Sequence, residues 1–98
     1  MKVVFIVNNK NKRAVSVLPE LERCSRQTSP GPVQFLLTRR KKHAIDLARQ
    51  AAENGCGYII AVGGDGTLHE VINGLFQSSL PAPKYPAKGL LPCGSAND

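Results

Sequence analysis

A short apolar run that ends in closely spaced glycines constrains the fold of this 98-residue chain more than any other feature. Tyr58–Val62 is apolar, Gly63-Gly64-Asp65-Gly66 follows it, and apolar side chains then recur at helical spacing over Gly66–Phe76. The pattern predicts a strand, a tight turn and a helix that begins at the turn. Such a junction brings free backbone N–H groups and the positive end of a helix dipole to one point, which suits a phosphate group.

The rest of the chain alternates between strand and helix patterns in the same way. Lys2–Val7 and Val33–Thr38 are predicted strands, and Gly89–Pro92 is a short fourth one. Apolar residues recur at helical spacing over Ala14–Cys24 and Arg40–Asn54. The order β-α-β-α-β-α-β predicts an α/β fold with three layers, α/β/α, around a mainly parallel sheet.

Prolines mark two boundaries in this pattern. Pro19 lies inside the first helical repeat, so that helix either begins near Leu18 or carries a kink. Three prolines within Gln77–Lys88 predict a loop there.

Polar or glycine-rich loops follow each of the four predicted strands. They are Asn8–Lys12, Thr38, Gly63–Thr67 and Gly94–Asp98. Because ligands of parallel α/β sheets bind beyond the carboxyl ends of the strands, we expect these loops to meet at one edge of the molecule.

The formal net charge of +6 favours an anionic partner. Net charge is the only argument for a nucleic-acid partner, because the five aromatic residues supply no platform on which bases could stack. We therefore predict no nucleic-acid binding. No apolar run approaches the ~18 residues of a membrane span, so we expect a cytoplasmic protein. The three cysteines, without a zinc-site spacing, are expected to be free thiols that are buried or half-buried.

The glycine turn is neither a Walker loop nor a complete dinucleotide fingerprint, which would need a third glycine where His69 stands. Asp65 would repel a phosphate unless a divalent cation or a positioned hydroxyl lay beside it. The alternative is a structural turn in which Asp65 caps the helix.

Two stretches resemble the signatures of diacylglycerol kinases and related lipid kinases. Gly63–Leu75 looks like the first, GGDGT-x-x-E-V-x-N-G-L, and Leu91–Asp98 is similar to the second, P-x-G-[TS]-x-N-D. Thr38, Ala44 and the stretch Asp46–Arg49 also fit the family's second strand and helix, so the resemblance covers nearly the whole chain. It implies the fold of the N-terminal domain of NAD kinases and diacylglycerol kinases.

The resemblance also implies phosphorylation of a lipid hydroxyl, on diacylglycerol or a sphingoid base, with ATP and Mg²⁺. It assigns Asp65 as the catalytic residue and assigns no metal ligand within this chain. The implied nucleotide-binding residues are Asn8, Asn9, Lys10, Asn11, Lys12, Thr38, Gly63, Gly64, Asp65, Gly66, Thr67, Leu68, His69, Glu70 and Ser95. The first loop departs from the family's Asn-Pro-x-x-Gly pattern, and its lysines are available to contact phosphate instead.

A run of four cations, Arg39–Lys42, is expected to begin the second helix. It is interpreted as a solvated face, as phosphate contacts, or as a peripheral contact with acidic lipid headgroups.

The resemblance assigns residues 1–98 to an N-terminal nucleotide-binding domain. In this family a second, mostly β domain follows and supplies the lipid pocket, so the 98 residues alone are expected to be inactive. An NAD kinase-like phosphotransferase and a non-catalytic nucleotide-binding module remain the alternatives.

Overall fold

Four parallel strands form the centre of the structure, a computed structural model that describes residues 1–29 and 31–93. The strands are β1 (Val3–Val7), β2 (Val33–Leu37), β3 (Tyr58–Gly63) and β4 (Ala87–Pro92). Their order in the sheet is β2-β1-β3-β4, and every neighbouring pair is parallel. The predicted α/β class with a mainly parallel sheet is confirmed.

Four α-helices connect the strands. They are α1 (Lys12–Ser16), α2 (Leu18–Thr28), α3 (His43–Glu53) and α4 (Asp65–Gln77), and a short 3-10 helix (Ala82–Lys84) precedes β4. The predicted loop over Gln77–Lys88 therefore contains this 3-10 helix and the start of β4.

The first helical repeat forms two helices rather than one. Pro19 lies in the first turn of α2, where its missing N–H would have had no helical acceptor. The start near Leu18 is confirmed, whereas the separate helix α1 was not predicted.

Helix α3 begins at His43, three residues later than predicted. Lys42 has a left-handed backbone, with φ 62° and ψ 7°, and a helix cannot extend through that conformation. The prediction that Arg39–Lys42 begins this helix is wrong, and the basic run forms the loop between β2 and α3.

Both faces of the sheet are covered, as the three-layer prediction requires. Along β1, Val4 and Ile6 belong to the core cluster that contains the buried hydrophobic residues of α3 and α4. Phe5 and Val7 alternate with them and belong to the cluster that packs against α1 and α2. Because successive side chains of β1 point to opposite faces of the sheet, this buried strand contributes to both hydrophobic cores.

Helices α3 and α4 approach each other closely at a glycine. A Cβ atom added to Gly74 would lie 2.4 Å from the backbone oxygen of Ile45 and 2.9 Å from the Cβ atom of Ala48. Gly74 thus sets the distance between the two helices.

The cysteines differ in accessibility. Cys56 and Cys93 are buried, but Cys24 is exposed, because α2 buries none of its residues fully. The expectation that all three thiols are buried or half-buried is wrong for Cys24. Within the described residues, no helix is both long enough and apolar enough to cross a membrane.

Candidate functional site

The loops that follow β1, β2 and β3 meet at the carboxyl edge of the sheet. The N–H of Thr38 donates to the carbonyl of Val7 at 3.0 Å, and the N–H of Asn8 donates to the carbonyl of Val62 at 3.0 Å. The predicted convergence is confirmed for these three loops. The fourth loop, Gly94–Asp98, and with it Ser95, lies outside the described residues.

Thr38 joins two of these loops. Its hydroxyl oxygen accepts a hydrogen bond from the N–H of Asn9 at 3.1 Å, and the residue is 9% exposed. The Asn8 side chain accepts from the N–H of Lys10 at 3.0 Å, which forms a turn within the same loop. These bonds hold Asn8, Asn9 and Lys10 beside the end of β2.

Asn11 ties the first loop to the end of β4. Its Oδ1 atom accepts from the N–H of Ala14 at 3.0 Å and caps α1, while its Nδ2 atom donates to the carbonyl of Cys93 at 3.2 Å. Both ends of the amide are therefore used within the protein. Lys12 is exposed at the start of α1.

The glycines of the turn after β3 have different surroundings. A Cβ atom on Gly63 would lie 2.8 Å from Oγ1 of Thr67, so this position requires glycine for packing. A Cβ atom on Gly64 or Gly66 would meet no atom within 4 Å among the described residues. Gly64 has φ −100°, and Gly66 lies inside α4, so neither backbone needs glycine for a left-handed conformation.

The start of α4 presents unpaired donors. In the part of the chain that the structure describes, the backbone N–H groups of Gly64, Asp65 and Gly66 donate to no acceptor. Gly64 is the N-cap residue, and no side chain caps the helix, so the alternative in which Asp65 acts as the cap is wrong. The Asp65 side chain is exposed on the first turn.

Two residues further along α4, Leu68 and His69, have different surroundings. Leu68 packs against the core cluster beneath α3 and α4, and His69 is exposed. Neither side chain lines the cleft described next.

A cleft of about 220 Å³ lies between the loop after β1, the loop after β2 and α4. Six of the predicted site residues line it together with the basic run. The lining residues are Asn8, Asn9, Lys10, Thr38, Arg39, Arg40, Lys41, Lys42, Ala44, Thr67 and Glu70. The basic run is the part that the predicted site left out, although its four consecutive cations were visible in the sequence.

The charges in the cleft are mostly uncompensated. Arg40 pairs with Asp46 at 2.6 Å, and the hydrogen bond from the Arg40 guanidinium lowers the pKa of the Asp46 carboxyl. Among residues 1–29 and 31–93, Lys10, Lys41 and Lys42 make no ion pair. Glu70 is the only carboxylate among the described residues that line the cleft, so this lining attracts anions.

The loop after β2 has an internal brace. The N–H of Arg39 donates to Nδ1 of His43 at 2.8 Å, and the N–H of His43 donates to the carbonyl of Arg40 at 3.2 Å. Within the described residues, no three His, Cys, Asp or Glu side chains are grouped so that they could hold a metal ion.

Comparison with known proteins gives the family. Residues 2–98 match the family described as the diacylglycerol kinase catalytic domain. This chain belongs to that family.

Family members with similar sequences include enzymes named for two kinds of lipid. Diacylglycerol kinase of Staphylococcus haemolyticus (strain JCSC1435) is 39% identical over 82 residues, which cover 84% of this chain and 22% of that protein. Sphingosine kinase 2 of Homo sapiens is 44% identical over 65 residues, which cover 64% of this chain and 10% of that protein. The matched part of the 98-residue chain therefore spans less than a quarter of the length of each of these two relatives.

The fold also matches a solved family structure. The crystal structure of a diacylglycerol kinase from Bacillus anthracis strain Sterne superposes with a TM-score of 0.79 at 28% identity. The match covers 99% of this chain and 35% of that one.

Proposed function

We propose that this chain is the ATP-binding part of a lipid kinase that phosphorylates a lipid hydroxyl. Membership of the diacylglycerol kinase catalytic domain family supports the reaction class, and relatives named for diacylglycerol and for sphingosine support the substrate class. In this proposal residues 1–98 are the N-terminal nucleotide-binding domain, and the lipid pocket is formed by residues outside this chain.

The main support for this proposal is the unfilled space at two glycines at the start of α4. Gly64 and Gly66 have free space where a side chain would be, and three unpaired N–H groups lie on the same short segment. Since neither the backbone conformation nor the packing of the described residues requires glycine at these two positions, a closely approaching ligand does. Free N–H groups at the positive end of a 13-residue helix select a phosphate.

The neighbouring cleft extends this phosphate site. Thr67 belongs to the first turns of α4 and also lines the basic cleft, so the glycine turn and the cations adjoin. A polyphosphate chain has enough charge to use both. In the first loop, which lacks the family's Pro and Gly, the Lys10 side chain would contact the phosphates instead.

Mg²⁺ fits the acids that are present. It is commonly held by one or two carboxylates together with substrate phosphates, and Asp65 offers an exposed carboxylate beside the unpaired N–H groups. When bound, the ion would offset negative charge on the phosphates. We therefore assign Asp65 to the reaction centre, while Glu70, five residues later in α4, lines the cleft.

In the proposed reaction the lipid hydroxyl oxygen bonds to the γ-phosphorus of ATP. The bond between that phosphorus and the β–γ bridging oxygen breaks, ADP leaves, and the hydroxyl proton passes to a base. The residues of this chain hold the phosphates in place and exclude alternative orientations, which is the main source of rate enhancement in phosphoryl transfer.

The proposal places the protein in the cytoplasm, in peripheral contact with acidic membranes. The net charge of +6 and the exposed basic run support an attraction to an anionic lipid surface. The lipid substrate reaches the enzyme at such a surface.

The test is a phosphotransfer assay with the full-length protein, radiolabelled ATP and Mg²⁺. Diacylglycerol, sphingosine and NAD are offered separately, and we expect a labelled lipid product from one of the first two. Labelled NADP would replace the proposal with an NAD kinase-like activity. ATP binding without any product would favour a non-catalytic module.

A parallel assay of residues 1–98 alone tests whether the lipid pocket lies outside this chain. We expect no turnover, because the acceptor pocket lies elsewhere in the proposal. Product formation by this fragment would contradict the assignment of the lipid site.

A further inference from the structure

Lys42 is unusual both in its backbone and in its position. Among residues 1–29 and 31–93 it is the only non-glycine residue with positive φ. Its exposed side chain lines the basic cleft, and it stands immediately before α3.

Two physical effects, backbone strain and the helix dipole, disfavour a lysine at this position. An L-residue with a side chain is strained in the left-handed region, where glycine and asparagine are tolerated best. A cation at the N-terminus of a helix also opposes the helix dipole. Glycine would remove both unfavourable effects, and asparagine would remove the charge and reduce the backbone strain.

The described residues provide no salt-bridge partner for the Lys42 ammonium. Lys42 makes no ion pair with any described acid, whereas Arg40 in the same loop pairs with Asp46. Among the described residues, five cations and one carboxylate, Glu70, line the cleft, so a bound anion would supply charge that favours Lys42.

We propose that Lys42 binds the phosphate chain of the nucleotide from the β2–α3 side of the cleft, at the expense of the stability of the free protein. This inference rests on the proposed function, because it takes ATP as the occupant. The lysine ammonium suits the role as a compact charge with three N–H donors. Thr67 on α4 lines the same cleft, so a phosphate chain that leaves the glycine turn reaches Lys42 through it.

The distinguishing test is Lys42→Asn in the full-length protein. Asparagine tolerates the left-handed backbone but lacks the charge, so stability and affinity should change in opposite directions. By calorimetry we expect ATP to bind about tenfold more weakly. AMP affinity should change less than twofold, and the midpoint of thermal unfolding without nucleotide should rise by about 2 °C.

Two further variants serve as controls. Lys41→Asn removes the same charge from the same loop at a residue without positive φ, so it should not raise the unfolding midpoint. Lys42→Arg keeps the charge and the strain, and it should retain most of the ATP affinity. If Lys42→Asn fails to fold, Lys42→Gly tests the same two effects.

The outcomes separate this inference from the proposed function. Unchanged ATP affinity in a folded Lys42→Asn variant overturns the inference and leaves the kinase proposal standing. If the wild-type protein binds inorganic tripolyphosphate but not ATP, and Lys42→Asn weakens that binding, the kinase proposal fails and the phosphate site remains. Weaker binding to phosphatidylglycerol vesicles with unchanged ATP affinity overturns the inference in favour of a membrane contact.

Discussion

The glycines of the turn between β3 and α4 are needed for different physical reasons. Gly63 gives room to the Thr67 hydroxyl, so its role lies within the fold. Gly64 and Gly66 leave open space beside unpaired N–H groups, and in the proposed function that space admits a ligand. A single sequence motif therefore combines a glycine that the packing requires with two glycines that the packing does not require.

Gly66→Ala should separate binding from stability. Alanine adds a methyl group where the described protein has no neighbour, and it favours a helical backbone by up to about 1 kcal/mol. We expect the free energy of unfolding to stay the same or rise, while ATP affinity falls by about tenfold, which corresponds to about 1.4 kcal/mol. Calorimetric titration and urea unfolding measure the two quantities. A variant that binds ATP normally would show that no ligand approaches this backbone.

Asp65→Asn should abolish kinase activity and leave the fold intact. The carboxylate is exposed and caps no helix, so its replacement by an isosteric amide removes charge without disturbing packing. We expect the turnover number to fall by more than about a hundredfold, the range typical of losing a positioned catalytic group. The assay uses saturating ATP and the preferred lipid, with thermal unfolding as the check on folding. Full activity would remove Asp65 from the mechanism.

Helices α3 and α4 form the element pair on which the site depends. Gly74 allows the backbone of α4 to pass within contact distance of Ile45 and Ala48, and α3 in turn begins at the basic loop. The same face of α3 is rich in alanine, with Ala44 and Ala48 buried. Close helix packing thus positions the loop that lines one side of the cleft.

Gly74→Ala should destabilise the protein, in contrast to Gly66→Ala in the same helix. The new Cβ atom would lie 2.4 Å from the carbonyl oxygen of Ile45, which cannot move without displacing α3. Overpacking of this kind costs about 1–3 kcal/mol, of which a helix-propensity gain of up to about 1 kcal/mol offsets a part. Urea unfolding of both variants makes the comparison. Equal stability of the two would show that the helices are not held at this distance.

At the scale of the whole molecule, burial distinguishes the three thiols. Cys56 belongs to the core cluster on the α3–α4 side of the sheet and Cys93 to the cluster on the other side, while Cys24 is exposed on α2. Burial also raises the pKa of the Cys56 thiol, which reduces its reactive thiolate fraction.

The rate at which each cysteine is alkylated should therefore depend on how deeply the cysteine is buried. We expect iodoacetamide to label Cys24 at least about tenfold faster than Cys56 in the native protein, because Cys56 reacts only after the core opens. Peptide mass spectrometry over a time course gives both rates. In denaturing urea the two rates should converge, which serves as the control. Equally fast labelling of the native protein would contradict the packed core on the α3–α4 side.

Much of the fold could be predicted from local patterns. The run Tyr58–Val62, the glycines after it and the helical repeat beyond them mark β3, the turn and α4 without any information from the rest of the chain. The alternation of strands and helices then requires the polar loops after β1, β2 and β3 to share one edge. Sequence determined these features because hydrophobic periodicity and turn chemistry act between residues that are close along the chain.

Other features depended on residues that are far apart in sequence or on backbone conformation. The amide of Asn11 bonds to the carbonyl of Cys93, 82 residues away, and Gly74 is needed only because α3 lies against it. Helix α3 begins at His43 because Lys42 adopts a left-handed backbone that lysine does not favour. Only the three-dimensional structure decided these points, since the first two depend on contacts between remote segments and the third on the backbone conformation of one residue.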